Sequence, residues 1–212
     1  MGTIEALSLA VGAAWTSGIN LYATVAALGL AGRLEMIKLP QGLELLTEPT
    51  VIAVACTMYL IEFFADKIPY VDNGWDVLHT FIRVPAGAIL AARSLGDMDP
   101  ALELAALLAG GAVALTAHGA KATTRLAING SPEPFSNWTA SLTEDIAVLG
   151  SIWMIFNYPL LMLILISVFF GLVLWLVPKI FRFAIRGFQA LRKRLRGVNP
   201  DHPTATGSPQ RS

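Results

Sequence analysis

Apolar residues in this chain come in long runs separated by short charged stretches. The clearest run, "LLMLILISVFFGLVLWLV" at 160–177, carries no charge. A helix rises about 1.5 Å per residue, so roughly 20 apolar residues cross a hydrocarbon core about 30 Å thick. By that measure the chain reads as six spans, at about residues 4–31, 50–66, 74–92, 101–120, 138–156 and 160–177. The predicted fold class is all-α: a polytopic membrane helix bundle over residues 1–178, with about six transmembrane helices and two polar helical hairpins. The last two spans join through "NYP", short enough for a tight helical turn. The first run is too long for one upright helix, and "TSGIN" interrupts it at 16–20. Either the helix breaks there and turns backbone and Asn20 toward a cavity, or Gly12, Ala13, Ser17 and Gly18 form a close helix crossing. A re-entrant first segment would move the N-terminus to the other side.

Composition agrees with this pattern. The chain is 55% hydrophobic and 14% charged, against about 25% charged in soluble domains, and its mean hydropathy is +0.61. The net charge is zero but uneven. After the last span come Lys179, Arg182, Arg186, Arg192, Lys193, Arg194 and Arg196. Basic residues flanking spans stay cytoplasmic, and six spans put the N-terminus on the same side. The turns holding Lys67, and Lys121 with Arg125, then also face the cytoplasm. Residues 179–197 mix Phe, Ile and Leu with bases, predicting a basic amphipathic interfacial helix held by anionic headgroups of membrane lipids. Residues 198–212 are rich in Pro, Thr and Ser, predicting a disordered tail. No Lys or Arg precedes the first apolar run, which argues against a cleaved signal peptide. Cys56 has no second cysteine to pair with, and reads as a small buried hydrophobe. Six short spans make a thin wall, which favours a homodimer.

The candidate chemistry lies in two hairpins. In "EFFADKIPYVDNGWDVLHTFIR", residues 62–83, Glu62 and Asp66 share a helix face four residues apart. Past the Pro69 turn, Asp76, His79 and Arg83 stand at i, i+3 and i+7, within about a 60° arc. Trp75, Leu78, Phe81 and Ile82 take the other face. Arg83 falls near mid-bilayer, where an unpaired arginine costs at least about 2.5–3.5 kcal/mol, so it must face the bundle interior. The second hairpin repeats the spacing with His118, Lys121 and Arg125, then places Glu144 and Asp145 two turns into the next helix. If the hairpins face each other, Glu62, Asp66 and Asp76 meet Lys121 and Arg125, while Arg83 meets Glu144 or Asp145. Such charges serve either a structural ion-pair network or a binding and ion pathway. His79 and His118 are either proton-relay groups or hydrogen-bonded core histidines. Their spacing matches no strong metal motif. Lys67, Lys121 and Arg125 also have a plain reading as snorkelling interfacial residues.

The stretches "SGINLYATVAALGLAGR", "EFFADKIPYVDNGWDVLHTFIRVPAGA", "HGAKATTR" and "SLTED" together resemble a bacterial membrane family labelled domain of unknown function 4126, over about residues 10–155. The elements E-x3-DK-x-P-x2-D and R-x-P-x-GA are the most specific. The chain departs from the family pattern at Val84, between Arg83 and Pro85, and at "NGSPEPFSN". The resemblance implies an integral protein of the bacterial inner membrane and no settled activity.

The leading functional expectation is a small transporter or channel for an ion or small polar solute, coupled to protons, with Glu62, Asp66, Asp76, His79, Arg83, His118, Lys121, Arg125, Glu144, Asp145 and Asn20 lining its pathway. The alternative is a non-catalytic scaffold or lipid-interacting protein whose buried pairs are structural. An enzyme is the weakest reading, because no clustered Asp or lipid-phosphatase pattern is present. No P-loop or dinucleotide fingerprint appears, so no cofactor is expected. A neutral, apolar chain leaves no nucleic-acid footprint.

Overall fold

The structure is a computed structural model that describes residues 1–68, 71–129 and 134–196. Among the described residues all regular structure is helical: α1 (Thr3–Ile19), α2 (Leu21–Arg33), a 3₁₀ helix (Gln41–Thr47), α3 (Pro49–Ala65), α4 (Val71–Ser94), α5 (Pro100–Asn129), α6 (Pro134–Asn157) and α7 (Pro159–Arg196). Met1–Phe169 forms one compact unit. The second, Phe170–Ser212, is described as the continuation of α7 to Arg196. The backbone expected as an interfacial helix is therefore helical as far as Arg196, in unbroken continuation of the last apolar run. The expected disordered tail at 198–212 lies outside the described residues.

Among the described residues three helices are long and apolar enough to cross a membrane: Pro100–Ile128, Phe135–Asn157 and Pro159–Lys179. A fourth crossing arises if Gln41–Thr47 and Pro49–Ala65, bent by 67°, count as one. The described residues thus hold three candidate spans, or four, by length and apolarity, compatible with a helical membrane protein, where six spans were expected. Two physical reasons account for the difference. Asn20 splits the first run into helices of 17 and 13 residues. In α4, 24 residues long and so about 36 Å, polar side chains dilute the apolarity.

That dilution is confined to one face. Arg83 and Asp76 are 0% and 2% exposed, whereas Phe81, Val77 and Leu78 are 79%, 65% and 65% exposed. A helix with its charges inside and its hydrophobes outside is built for a solvent that is itself apolar. Pro85 lies inside α4, which continues through it. The helix starts at Val71, so Asp72 and Asn73 fall in its first turn. Pro134 likewise starts α6, placing Ser136 and Asn137 inside the helix.

Small residues bring α1, α4 and α5 together. A Cβ added at Gly87 would lie 2.5 Å from the Ala114 Cβ and 2.7 Å from the Ser17 hydroxyl. One added at Gly18 would run into the Ala114 carbonyl oxygen. Without a hydrophobic drive between helices in lipid, such close backbone approach is what holds them. The crossing through Gly12, Ala13, Ser17 and Gly18 is buried as that reading required, and the helix breaks immediately after it. Both alternatives for "TSGIN" thus describe part of the same feature. Gly18→Val should destabilise the bundle by about 1–3 kcal/mol through overpacking, read as a lowered unfolding temperature in detergent. An unchanged midpoint would show that α1 and α5 can separate freely here.

Candidate functional site: a buried charge network

Helix periodicity places Glu62 and Asp66 at the end of α3, Asp76 and Arg83 along α4, Lys121 and Arg125 along α5, and Glu144 on α6. The packing of these helices turns all seven to one interior point. Arg83 Nη2 donates to Glu62 Oε1 at 2.7 Å, and Nη1 donates to Asp76 Oδ1 at 2.9 Å. Lys121 Nζ stands among four carboxylates: 3.0 Å from Asp66, 3.3 Å from Glu144, 3.6 Å from Glu62 and 3.8 Å from Asp76. Arg125 Nη2 reaches Glu144 Oε2 at 2.7 Å and Asp66 Oδ2 at 3.3 Å. Neither lysine nor arginine here snorkels: Lys121 and Arg125 are buried.

The partners of Arg83 differ from those expected. Each arginine pairs first within its own hairpin, Arg83 with Glu62 and Asp76, Arg125 with Glu144. Lys121 is the main link between hairpins, joined by the contact of Arg125 with Asp66. Glu144 is drawn to Arg125 because both lie on the α5–α6 hairpin, and Asp145 projects elsewhere. Its Oδ1 accepts from Asn20 Nδ2 at 3.3 Å. Asn20 is also the N-cap of α2, its side-chain oxygen accepting from the Ala23 N–H, so the helix break and the acid are tied together.

The two arginines are not equivalent. A guanidinium has five N–H donors, and Arg125 uses all of them. Nε and Nη2 hold Glu144, Nη2 also holds Asp66 Oδ2, and Nη1 donates to the backbone carbonyls of Asp66 and Asn137. It ties the C-terminal end of α3 to α5 and α6. Arg83 leaves its Nε without a hydrogen-bond partner, as are Glu62 Oε2, Asp66 Oδ1 and Asp76 Oδ2.

The bonding of His118 makes it neutral. Arg83 Nη1 lies 3.1 Å from His118 Nδ1. An arginine can only donate, so Nδ1 accepts and Nε2 carries the proton. That Nε2–H points to Thr80 Oγ1 at 2.7 Å, whose own hydroxyl donates to the Asp76 carbonyl. His79 Nδ1 donates to the Trp75 carbonyl at 2.8 Å, and its Nε2 lies 3.1 Å from the Tyr22 hydroxyl. His79 stacks on Trp75 at 4.4 Å. It bonds outside the ion pairs, while His118 is joined to them through Arg83.

Several contributors were not singled out in the sequence. Thr80, one turn past Asp76, could have been found from its spacing. Tyr22 carried no such signal, and Asn137 enters through a backbone carbonyl, which no residue type announces. Lys67, read as interfacial, is buried. Its ammonium lies 2.9 Å from the Phe63 ring centroid and donates to the Phe63 carbonyl and to Ser141. Cys56 is half-buried rather than buried, beside Tyr59 and Asp145 in a small cavity. No group of His, Cys, Asp and Glu among the described residues is arranged to hold a metal ion.

Four carboxylates meet two arginines and one lysine in this interior, a formal count of one negative charge in excess with every acid ionised and the histidines neutral. Asp145 and Lys67, of opposite sign, flank the network without changing that sum.

Neither the curated proteins nor the solved structures contain a match to this chain. A family model described as a domain of unknown function (DUF4126) matches residues 7–179, which takes in every residue of the network. The chain therefore belongs to the DUF4126 family.

Proposed function

We propose that the protein is a small membrane transporter for a cationic solute, coupled to protons through the buried carboxylates. In this reading the bundle has six spans in the bacterial inner membrane, with both termini cytoplasmic. Its basic C-terminal segment lies on anionic lipid, and two copies associate. One observation carries the functional reading: the interior holds an unbalanced carboxylate among atoms that have unused bonding capacity. An uncompensated charge away from water costs several kcal/mol, so the network calls for one positive partner. A proton supplies it from either side of the membrane. The Glu62–Asp76 pair, both against Arg83 and each with one oxygen unpartnered, is where that proton sits. The histidines are secondary: His118 orients Arg83, and His79 lies outside the ion pairs.

The saturation of Arg125 favours a second reading, in which the network only fixes helix packing. Purified protein in liposomes loaded with a pH indicator separates the two. Adding members of a panel of inorganic and organic cations outside should move protons in the wild type for at least one of them. Glu62→Gln, which balances the network at three charges of each sign, should fold and abolish the response. A correctly folded wild type that moves no proton with any cation would leave the scaffold reading.

A further inference from the structure

A groove of about 680 Å³ lies beside the network, walled by Trp15, Phe135, Phe169 and Ala147, with Lys121 and Glu144 at its polar end. Its volume falls within the range of about 300–1,000 Å³ typical of pockets for drug-sized molecules. Trp15 and Phe169 meet edge to face with centroids 5.7 Å apart. Of the four carboxylates, Glu144 is the most open, with 16% of its side chain exposed against 0–4% for the others. An aromatic, apolar groove thus ends at the one accessible acid of a network that is one positive charge short.

We propose that this groove binds a lipophilic organic cation, whose charge lies against Glu144 and whose apolar body lies on the aromatic wall. This names the solute class for the transport reading and rests on that reading for its coupling. Charge complementarity selects the occupant. A lipid acyl chain would fill the apolar volume and leave the excess charge uncompensated, and an anion would add to it. Aromatic faces attract organic cations through the ring quadrupole.

Lys121 supplies the link to the proton. Its ammonium stands between Glu144 and the Glu62–Asp76 pair. A cation at Glu144 takes over part of the role of Lys121 there. The ammonium then moves toward Glu62 and Asp76, and the proton held by that pair leaves to water. One positive charge enters and one departs, so the interior charge is conserved. The other titratable and charged groups around this pair are Tyr22 on α2, Asp66 at the α3 terminus, His79 and Arg83 on α4, and His118 and Arg125 on α5. Tyr59 on α3 and Glu144 and Asp145 on α6 complete the set. Among these His118 is held neutral by accepting from Arg83, and the arginines stay charged.

The probe is tetraphenylphosphonium, titrated calorimetrically into the full chain in detergent. Repeating the titration in two buffers of different ionisation enthalpy counts the protons released. The wild type should bind it and release about one proton per cation. Tetraphenylborate, the same shape with opposite charge, should not bind. Ala147→Trp, which fills the groove while keeping every charged side chain of the network, and Glu144→Gln should each weaken binding by about tenfold or more. Equal binding of the phosphonium and the borate would show an apolar slot for a lipid chain and overturn the inference. Unchanged affinity in Ala147→Trp would do the same. Binding without proton release would keep the solute class and remove the coupling. Proton movement with other cations but no phosphonium binding would keep the transport reading and remove this site.

Discussion

Arg125→Lys should lower the stability of the bundle more than any other single conservative change in the network. The guanidinium holds Glu144 through two nitrogens, Nε and Nη2, and its Nη1 also fastens the carbonyls of Asp66 and Asn137. A lysine presents three donors from one point and cannot span those groups. The backbone carbonyl at the end of α3 loses its partner, and the carboxylate of Asp66 is left to Lys121 alone. Breaking a buried pair from one side costs about 3–5 kcal/mol, and here the loss also frees the junction of three helices. Thermal unfolding in detergent, followed by circular dichroism, measures it. Arg125→Lys within about 1 kcal/mol of wild type, the scale of a surface ion pair, would mean that the clamp does not hold the fold.

The second large effect is a coupling between Arg83 and Glu62. Arg83→Met alone leaves Glu62 and Asp76 to the more distant Lys121, at 3.6 and 3.8 Å, and Glu62→Met alone leaves Arg83 with Asp76 as its one carboxylate. Each should cost about 3–5 kcal/mol. The double substitution replaces a buried pair by apolar side chains and should recover much of that loss, with a coupling energy of about 0.5–3 kcal/mol. Arg83→Met combined with Asp145→Asn should instead be additive, because Asp145 bonds to Asn20 and has no contact with Arg83. The reverse outcome, with Arg83 coupled to Asp145 and indifferent to Glu62, would contradict the arrangement of the first hairpin.

Much of this protein is legible in its chain of residues. The charge-free run at 160–177 and the low charged fraction point to a helical membrane protein, because backbone groups in hydrocarbon must be satisfied within the segment. The 3.6-residue period decides which side chains share a face, so Asp76, His79 and Arg83 are found together, as are His118, Lys121 and Arg125. The cost of a lone charge in lipid turns these faces inward. The "SGIN" segment admits a break or a close crossing, and Asn20 has the chemistry to cap the helix that follows.

What periodicity cannot supply is the partner. A face defines a direction from one helix axis, while an ion pair depends on the rotation and height of two axes, set by where Gly18, Gly87 and Ala114 allow backbones to touch. So the sequence admitted Glu144 or Asp145 for Arg83, and the packing chose Glu62 and Asp76. The same limit hid the difference between the two arginines, since the Asp66 and Asn137 carbonyls that saturate Arg125 are backbone atoms of other helices. It also hid the groove, whose walls come from Trp15 on α1, Ala117 on α5, Ala147 on α6 and Phe169 on α7. The sum of charges can be read from the chain; that four acids and three bases share one interior is a property of the folded bundle alone.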